Sequence, residues 1–242
     1  MSMLSKALLS VEGVRATYEY FLSWYLHNLI YSVSPKGDGH PVMVIPGLGT
    51  TDRSTHFIRH FLDEIGYDSY SWGMGRNLGP QQGIDELINN LSDRVEKIYH
   101  LSEKKEVSII GWSLGGIYAR EIAKVKPEMV RQVITLGTPF KDASNGTNIK
   151  FLYDLLSKDK SYEDPTLMQR IAEKPPVPFT SLYSRTDGVV HWQSSIEDET
   201  PLSENIEIHN SSHLGLGHNP LTLLVIADRL QQQKESWTPY NR

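Results

Sequence analysis

Along most of the chain, segments with the apolar pattern of a strand alternate with segments that have the apolar spacing of a helix. Short runs of β-branched, aromatic and aliphatic residues predict strands at 41–45, 67–72, 106–110, 132–137, 177–184 and 205–209. Between and after them, apolar residues at helical spacing predict helices at 54–66, 82–101, 116–124 and 221–233. Several strands are continuous apolar runs, which is typical of strands buried on both faces. The pattern predicts an α/β fold, with a mostly parallel sheet covered by helices on both faces.

A long helix is predicted ahead of the first strand, over residues 3–31. Its apolar residues lie at helical spacing: Leu4, Leu8, Val11, Val14, Tyr18, Phe21, Leu22, Tyr25 and Leu29. We expect this aromatic-rich stripe to pack across the body of the domain, because such stripes usually mark core. The alternative is a peripheral contact with a lipid surface or with a second copy of the chain.

The segment from 141 to 176 differs from the rest in its polar composition and weak periodicity. One short helix is suggested by Phe151, Leu152, Leu155 and Leu156, and another by Leu167 and Ile171. An insertion of this kind is typical of a cap over a binding site. We therefore expect one domain over residues 1–242, with 141–176 as its cap or lid.

Composition excludes several classes of function. The chain has 242 residues, of which 39% are hydrophobic and 22% charged, enough for one full-sized core. Its net charge of -5 gives no basic field for nucleic acid. Without cysteine there is no disulfide, thiol nucleophile or Cys-ligated metal. No apolar run reaches the roughly 18 residues that span a bilayer, so we expect no transmembrane segment and a cytoplasmic protein.

Chemistry is indicated first by the G-x-S-x-G motif at Gly111-Trp112-Ser113-Leu114-Gly115. It stands between the predicted strand 106–110 and the predicted helix 116–124. A serine on so tight a turn presents its hydroxyl beyond the edge of the sheet, and the glycines remove Cβ atoms that would clash there. Ser113 is therefore the candidate nucleophile.

A serine hydroxyl needs a base and an acid that orients the base. Asp187 lies in a turn after the predicted strand 177–184, and His213 lies in a loop after the strand 205–209. We expect these two residues to be the acid and the base. Asp142 is the alternative acid, and His218 the alternative base. A sixth candidate, His191, could line a pocket or lie on the surface.

The order Ser113, Asp187, His213 resembles that of α/β-hydrolases of the lipase and esterase type. The resemblance spans residues 41–230 and also includes Pro46-Gly47-Leu48-Gly49 after the first core strand. The segment 72–80 is similar to a loop of bacterial members of that group. Many lipases have His-Gly where this chain has Pro46-Gly47. By position, the resemblance implies that the N–H groups of Leu48 and Leu114 form the oxyanion hole.

The resemblance implies a serine hydrolase that cleaves carboxylic esters of apolar acyl chains through an acyl-enzyme. It implies a small-molecule ester or lipid as the substrate, and no cofactor. For a metal, the sequence contains neither an H-E-x-x-H motif nor an EF-hand loop, and a structural metal site stays open. The glycines at 73, 75 and 79 do not have the spacing of a dinucleotide loop. Two alternatives stay open: acyl transfer or thioester cleavage on the same residues, and a binding protein that keeps the fold without catalysis.

Overall fold

A computed structural model describes residues 3–141 and 165–240. The strands are β1 (Pro41–Ile45), β2 (Asp68–Ser71), β3 (Val107–Trp112), β4 (Val130–Leu136), β5 (Phe179–Tyr183) and β6 (Ser203–Glu207). The helices are α1 (Met3–Val33), α2 (His56–Ile65), α3 (Ile84–Leu101), α4 (Leu114–Val125), α5 (Pro165–Ala172) and α6 (Pro220–Leu230). Short 3-10 turns occupy Trp192–Ser195 and Lys234–Ser236.

The six strands form one sheet in the order β2-β1-β3-β4-β5-β6, and every neighbouring pair is parallel. From β1 the chain first adds β2 on one side and then returns to place β3 on the other. The strand order thus reverses between β1 and β3, where loops at the carboxyl ends of the strands diverge and leave a crevice. Gly47 follows β1 and Ser113 follows β3, so both candidate segments lie at this reversal.

Two apolar cores cover the two faces of the sheet. Because side chains alternate along a strand, Met43 and Ile45 point to one face of β1, while Val42 and Val44 point to the other. Helices α3, α4 and α5 pack on the first face, and α2 and α6 pack on the second. The predicted α/β architecture, with a parallel sheet between two layers of helices, is confirmed.

The long N-terminal helix forms as predicted but presents the opposite face to the body. The residues it buries are Glu12, Ala16, Glu19, Ser23 and Ile30. The aromatic stripe faces outward, with Tyr25 78% and Val14 74% exposed. The expectation that the stripe marks core is therefore wrong. The predominantly polar face of α1 meets the loops at the carboxyl edge of the sheet.

The second helix predicted within 141–176 is α5. Ile171 is buried in the core shared with α4, and Leu167 packs against that core. The guanidinium of Arg170 contacts Glu121 of α4 at 3.0 Å and Asp85 of α3 at 2.8 Å. This helix packs on the body of the domain through its apolar residues. The helix predicted around Phe151 lies outside the described residues, so the cap stays a prediction.

Candidate active site

Ser113 is the single residue between β3 and α4, and its backbone has φ 52° and ψ −120°. A positive φ is rare for a side chain with a Cβ, and it is maintained here by hydrogen bonds. The Ser113 N–H donates to the carbonyl of Leu136 at 2.8 Å. Its carbonyl accepts from the N–H of Gly116 at 3.0 Å and from Oγ1 of Thr138 at 2.9 Å. Both strand β4 and the start of α4 therefore fix the turn.

The two motif glycines are required by close backbone contacts on either side of Ser113. A Cβ on Gly111 would lie 2.4 Å from the carbonyl oxygen of Gly115. A Cβ on Gly115 would lie 2.5 Å from the carbonyl oxygen of Ile45, at the end of β1. Since backbone cannot move aside as a side chain can, larger residues are excluded at both positions.

His213 lies in the loop between β6 and α6 and is 4% exposed. Its Nδ1 is 2.7 Å from Oδ2 of Asp187, which follows β5. Burial of the ring opposes the imidazolium. The charge of Asp187, its hydrogen bond and the charge of Glu12 outweigh that effect, so the pKa of His213 lies above its ordinary value.

The carboxylate of Asp187 is held on both of its oxygens. Oδ1 accepts from the N–H of Val189 at 2.8 Å and from that of Val190 at 2.6 Å, while Oδ2 faces His213. The predicted turn after β5 thus supplies its own donors to fix the carboxylate. An acid held in this way can orient an imidazole through Nδ1 and leave Nε2 available for proton transfer.

Neighbouring contacts bring the loops after β3, β4, β5 and β6 together. The indole Nε1 of Trp112 donates to the carbonyl of His213 at 3.1 Å, linking the residue before Ser113 to the histidine loop. Gly137, which follows β4, lies against the contact between His213 and Asp187. A Cβ there would be 3.0 Å from Nδ1 of His213 and 3.1 Å from Oδ2 of Asp187. Ser113, Asp187 and His213 therefore lie at one edge of the sheet.

The loop after β1 lies against the serine turn. A Cβ on Gly47 would be 3.3 Å from Cβ of Ser113. Leu48 follows Gly47, and Leu114 begins α4, where the first N–H groups of a helix lack intrahelical acceptors. Among the described residues, the N–H groups of Leu48 and Leu114 have no hydrogen-bond acceptor. Both are available to an external oxyanion.

Asn77 fixes this loop and was not singled out from the sequence. It is fully buried, and its Nδ2 donates to the carbonyl of Pro46 at 2.9 Å. Its backbone carbonyl accepts from the N–H of Gly49 at 2.6 Å, and its own N–H donates to Thr50 at 2.8 Å. The segment 72–80, noted for its resemblance to a lipase loop, thereby braces the residues on both sides of Leu48.

The alternative residues fall in other places. His218 packs edge-on against the rings of Tyr20, Phe57 and Trp112, and burial lowers its pKa. The helix that follows is capped by Asn219, whose side chain accepts from the N–H of Leu221. The remaining alternatives are His191, which stacks on Trp192, and Asp142, which lies outside the described residues.

Charged residues of α1, which contact the loops after β5 and β6, were also missed in the sequence analysis. Glu12, Arg15 and Glu19 lie at spacings of three and four, which places them on one face of the helix. That polar stripe was the available signal, and the apolar stripe on the opposite face obscured it. All three contact the loops that carry Asp187 and His213.

The described residues contain no candidate membrane span and no candidate metal site. In the described part of the chain, no helix combines the length and hydropathy needed to cross a bilayer. Within 3–141 and 165–240, no three His, Asp or Glu side chains lie close enough together to hold a metal ion.

The chain is similar to known proteins in its sequence. Residues 51–170 match the model of the PGAP1-like alpha/beta domain. A triacylglycerol lipase of Pseudarthrobacter phenanthrenivorans is 27% identical over 126 residues, which are 50% of this chain and 38% of that protein. A triacylglycerol lipase of Burkholderia plantarii has the same identity over 50% of this chain and 34% of its own. The chain thus spans about a third of the length of these curated relatives.

Solved structures agree on the fold. The mature lipase BlEst2 of Bacillus licheniformis superposes with a TM-score of 0.60 at 18% identity, covering 82% of this chain and 94% of that one. Lipase B of Aspergillus fumigatus also gives 0.60, at 17% identity, over 85% of this chain and 54% of its own. With the parallel sheet and the serine turn between β3 and α4, these matches show that the chain has an α/β-hydrolase fold of the lipase/esterase-like kind.

Proposed function

We propose that the protein is a serine hydrolase that cleaves carboxylic esters of apolar acyl chains. The observation that carries this proposal is the 2.7 Å contact between His213 Nδ1 and Asp187 Oδ2, at the sheet edge where Ser113 occupies a strained turn. A buried His–Asp pair at the same sheet edge as a serine with φ 52° is costly to maintain unless it serves chemistry. The lipases among its relatives support an ester as the substrate.

The proposed reaction uses the residues in complementary roles. Nε2 of His213 accepts the proton of the Ser113 hydroxyl as Oγ attacks the ester carbonyl. Asp187 orients the ring through Nδ1 and stabilises the imidazolium that forms. His213 then donates the proton to the leaving alkoxide, which departs as the alcohol and leaves an acyl-serine. Attack by water, with His213 again as the base, releases the acid.

Negative charge develops on the carbonyl oxygen during both attacks. The N–H groups of Leu48 and Leu114 lack acceptors among the described residues and flank the serine turn. Their donation to the oxyanion would stabilise the tetrahedral intermediates, and each such donor is worth about 10²- to 10³-fold in kcat. Asn77 preserves the position of Leu48 through the carbonyl of Pro46.

We further propose that the outer face of α1 contacts a neutral lipid surface. Between residues 7 and 33, none of its exposed side chains is Asp, Glu, Lys or Arg. The exposed aromatic residues are Tyr18, Tyr20, Phe21, Trp24 and Tyr25. Tyr and Trp favour the membrane–water interface, and a face without basic residues suits zwitterionic lipid better than anionic lipid. An apolar ester substrate would be found at such a surface.

Flotation with phosphatidylcholine vesicles tests this contact. We expect the protein to float with the vesicles, and a variant with Phe21→Glu and Tyr25→Glu to remain at the bottom. A second copy of the chain is the competing occupant. A dimer in light scattering that the double variant abolishes, without flotation of the wild type, would contradict the lipid contact.

The catalytic proposal is tested by labelling with a fluorophosphonate, which reacts with an activated serine. We expect stoichiometric labelling of the wild type and none of Ser113→Ala. The same variant should lower kcat for ester hydrolysis by about five to six orders of magnitude while the protein stays folded, because the three residues act as a unit. An unlabelled wild type would contradict catalysis and favour a binding protein. Labelling without ester hydrolysis would favour acyl transfer or thioester cleavage.

A further inference from the structure

Helix α1 places two buried carboxylates against the loops of the candidate active site. Glu12 is 3% exposed and Glu19 is 4% exposed, and their spacing of seven residues puts them on one face of the helix. Arg15 lies 3.6 Å from Glu12. Among the described residues, Glu19 has no ion-pair partner. Buried carboxylates are costly, so the groups that satisfy them indicate what they do.

Glu12 joins the acid loop to the histidine loop. Its Oε1 accepts from the N–H of Gly188 at 2.7 Å, and Gly188 follows Asp187. Its Oε2 accepts from the N–H of Leu214 at 3.2 Å, and Leu214 follows His213. One carboxylate therefore fixes the distance between the backbones on which the acid and the base stand.

Glu19 holds the histidine loop from its other side. One oxygen accepts from the N–H of Ser212 at 2.8 Å and from its hydroxyl at 2.6 Å. The other accepts from the hydroxyl of Ser211 at 2.5 Å and from Nδ2 of Asn219 at 2.8 Å. Asn219 also caps α6, so Glu19 ties the loop to the start of that helix.

The loops are shaped to admit these carboxylates. A Cβ on Gly188 would lie 2.8 Å from Oε1 of Glu12 and 2.7 Å from the backbone of Leu8. A Cβ on Gly215 would lie 2.1 Å from Oε1 of Glu19. Arg15 adds a third attachment, because its guanidinium donates to the carbonyl and the hydroxyl of Thr186 at 2.7 Å each. Thr186 directly precedes Asp187.

From these contacts we infer that Glu12 and Glu19 are positioning residues of the active site, through which α1 fixes Asp187 and His213 relative to each other. The kinetic part of this inference rests on the proposed function, since it takes His213 as the base. A buried carboxylate that only stabilised the fold would not need to contact the residues next to both members of the pair. The helix would then be part of the catalytic machinery instead of an external addition.

Glu12 also affects His213 electrostatically. The charged groups that face the ring are Asp187 on the loop after β5 and Glu12 on α1, with Arg15 beside Glu12. The negative charge of Glu12 contributes to the raised pKa of His213. Removal of that charge should therefore lower the pKa. The acidic limb of kcat/KM, which follows protonation of the free base, should move to lower pH.

Glu12→Gln is the first test. The amide keeps the size of the side chain but has one acceptor oxygen, so it cannot accept from both Gly188 and Leu214. We expect kcat to fall by about ten- to a hundredfold with a smaller change in KM, because small misplacements of catalytic groups are costly. The acidic limb should shift to lower pH, and NMR titration of the His213 ring should show the same direction.

Glu128→Gln is the matched control. Glu128 is exposed before β4, at the opposite edge of the sheet, and its loss removes the same charge without touching the loops. This variant should leave kcat and the pH profile unchanged. Glu19→Gln and Gly215→Ala should lower kcat as Glu12→Gln does, the second by steric displacement of Glu19. If Glu12→Gln, Glu19→Gln and Gly215→Ala all unfold while Glu128→Gln stays folded, the role of these contacts is purely structural and the inference is overturned.

Other outcomes separate this inference from the proposed function. If Glu12→Gln retains the kcat and pH profile of the wild type while Ser113→Ala is inactive, the positioning role is wrong and the hydrolase stands. If the wild type hydrolyses no ester, the proposed function fails. The NMR titration then still tests whether Glu12 acts on His213. An unchanged titration of the His213 ring in Glu12→Gln would overturn that role, and a shift to lower pH would support it.

Discussion

The imidazole of His213 and the carboxylate of Asp187 are joined by a 2.7 Å contact across 26 residues of sequence. Neither residue belongs to a strand. The contact depends on the adjacent, parallel pairing of β5 and β6, which brings their carboxyl ends to one edge of the sheet. It also depends on the N–H groups of Val189 and Val190, which hold the other carboxylate oxygen.

Asp187→Asn should lower kcat by about 10⁴-fold with little loss of stability. The amide oxygen can still accept from Val189 and Val190, but the amide nitrogen then faces Nδ1 of His213 and favours the wrong tautomer. Steady-state kinetics and a thermal melt measure the two effects. Asp142→Asn is the comparison, and a larger loss there than in Asp187→Asn would move the acid to the earlier loop.

His213→Ala should lose as much activity as Ser113→Ala, since the base and the nucleophile act together. His218→Phe should stay within about tenfold of the wild-type kcat, because the ring of His218 serves packing against Trp112 and its Nδ1 has no partner among the described residues. Measurement of kcat for both variants on the same ester shows which histidine is the base. Retained activity in the first and loss in the second would exchange the two assignments.

Gly137→Ala should reduce kcat more than its effect on folding suggests. The residue has φ 54°, where an alanine costs about 1–2 kcal/mol. Its new methyl group would also press on the His213–Asp187 contact, so we expect kcat to fall by about tenfold or more. Kinetics and urea unfolding separate the contributions. Wild-type kcat in a destabilised protein would show that the pair tolerates the intrusion.

The order of strands and helices could be predicted from the sequence because each element carries its own periodicity. Element ends were less accurate where packing overrides local preference. Helix α4 begins at Leu114, before two glycines that normally disfavour helix. Gly116 is required there, because a Cβ would lie 1.9 Å from Oγ1 of Thr138. Strand β6 begins at Ser203, two residues earlier than expected, since buried Glu204 pairs with Arg229 at 3.1 Å.

Only those residues of the candidate site that belong to local sequence motifs could be predicted from the sequence. The serine turn and the strand-end loops are local features, so Ser113, Asp187 and His213 could be named from their own surroundings. Glu12 and Asn77 could not, because their role consists of contacts with loops that lie far away in the sequence. The orientation of α1 was predicted wrongly for the same reason: its buried carboxylates are satisfied only by groups of the folded domain.

Chain length of the acyl group should govern the rate if the substrate is an apolar ester. Each buried methylene contributes about 0.8 kcal/mol, so kcat/KM should rise about two- to fourfold per carbon over the first several carbons. The p-nitrophenyl esters of acetate, butyrate, hexanoate and octanoate, used below their solubility limits, measure this directly. A steady fall from acetate onward would indicate a short, closed pocket and would contradict the preference for longer chains.

Acid should destabilise the protein through His40. This residue is buried at the amino edge of the sheet. Its Nδ1 lies 2.5 Å from Oδ1 of Asp38, and its Nε2 lies 2.8 Å from Oγ of Ser108. Burial, aided by the charge of Arg131 against the opposing effect of Asp38, lowers its pKa to about 4. In the unfolded chain the ring takes up a proton below its ordinary pKa of about 6.5, while the folded protein resists until about pH 4. Between these two pH values the unfolded state therefore binds more protons than the folded state. As the pH is lowered to about 4, the free energy of unfolding decreases by about 3 kcal/mol in total. Urea unfolding from pH 7 to pH 4 should show a flatter dependence for His40→Phe than for the wild type, and parallel curves would contradict this role.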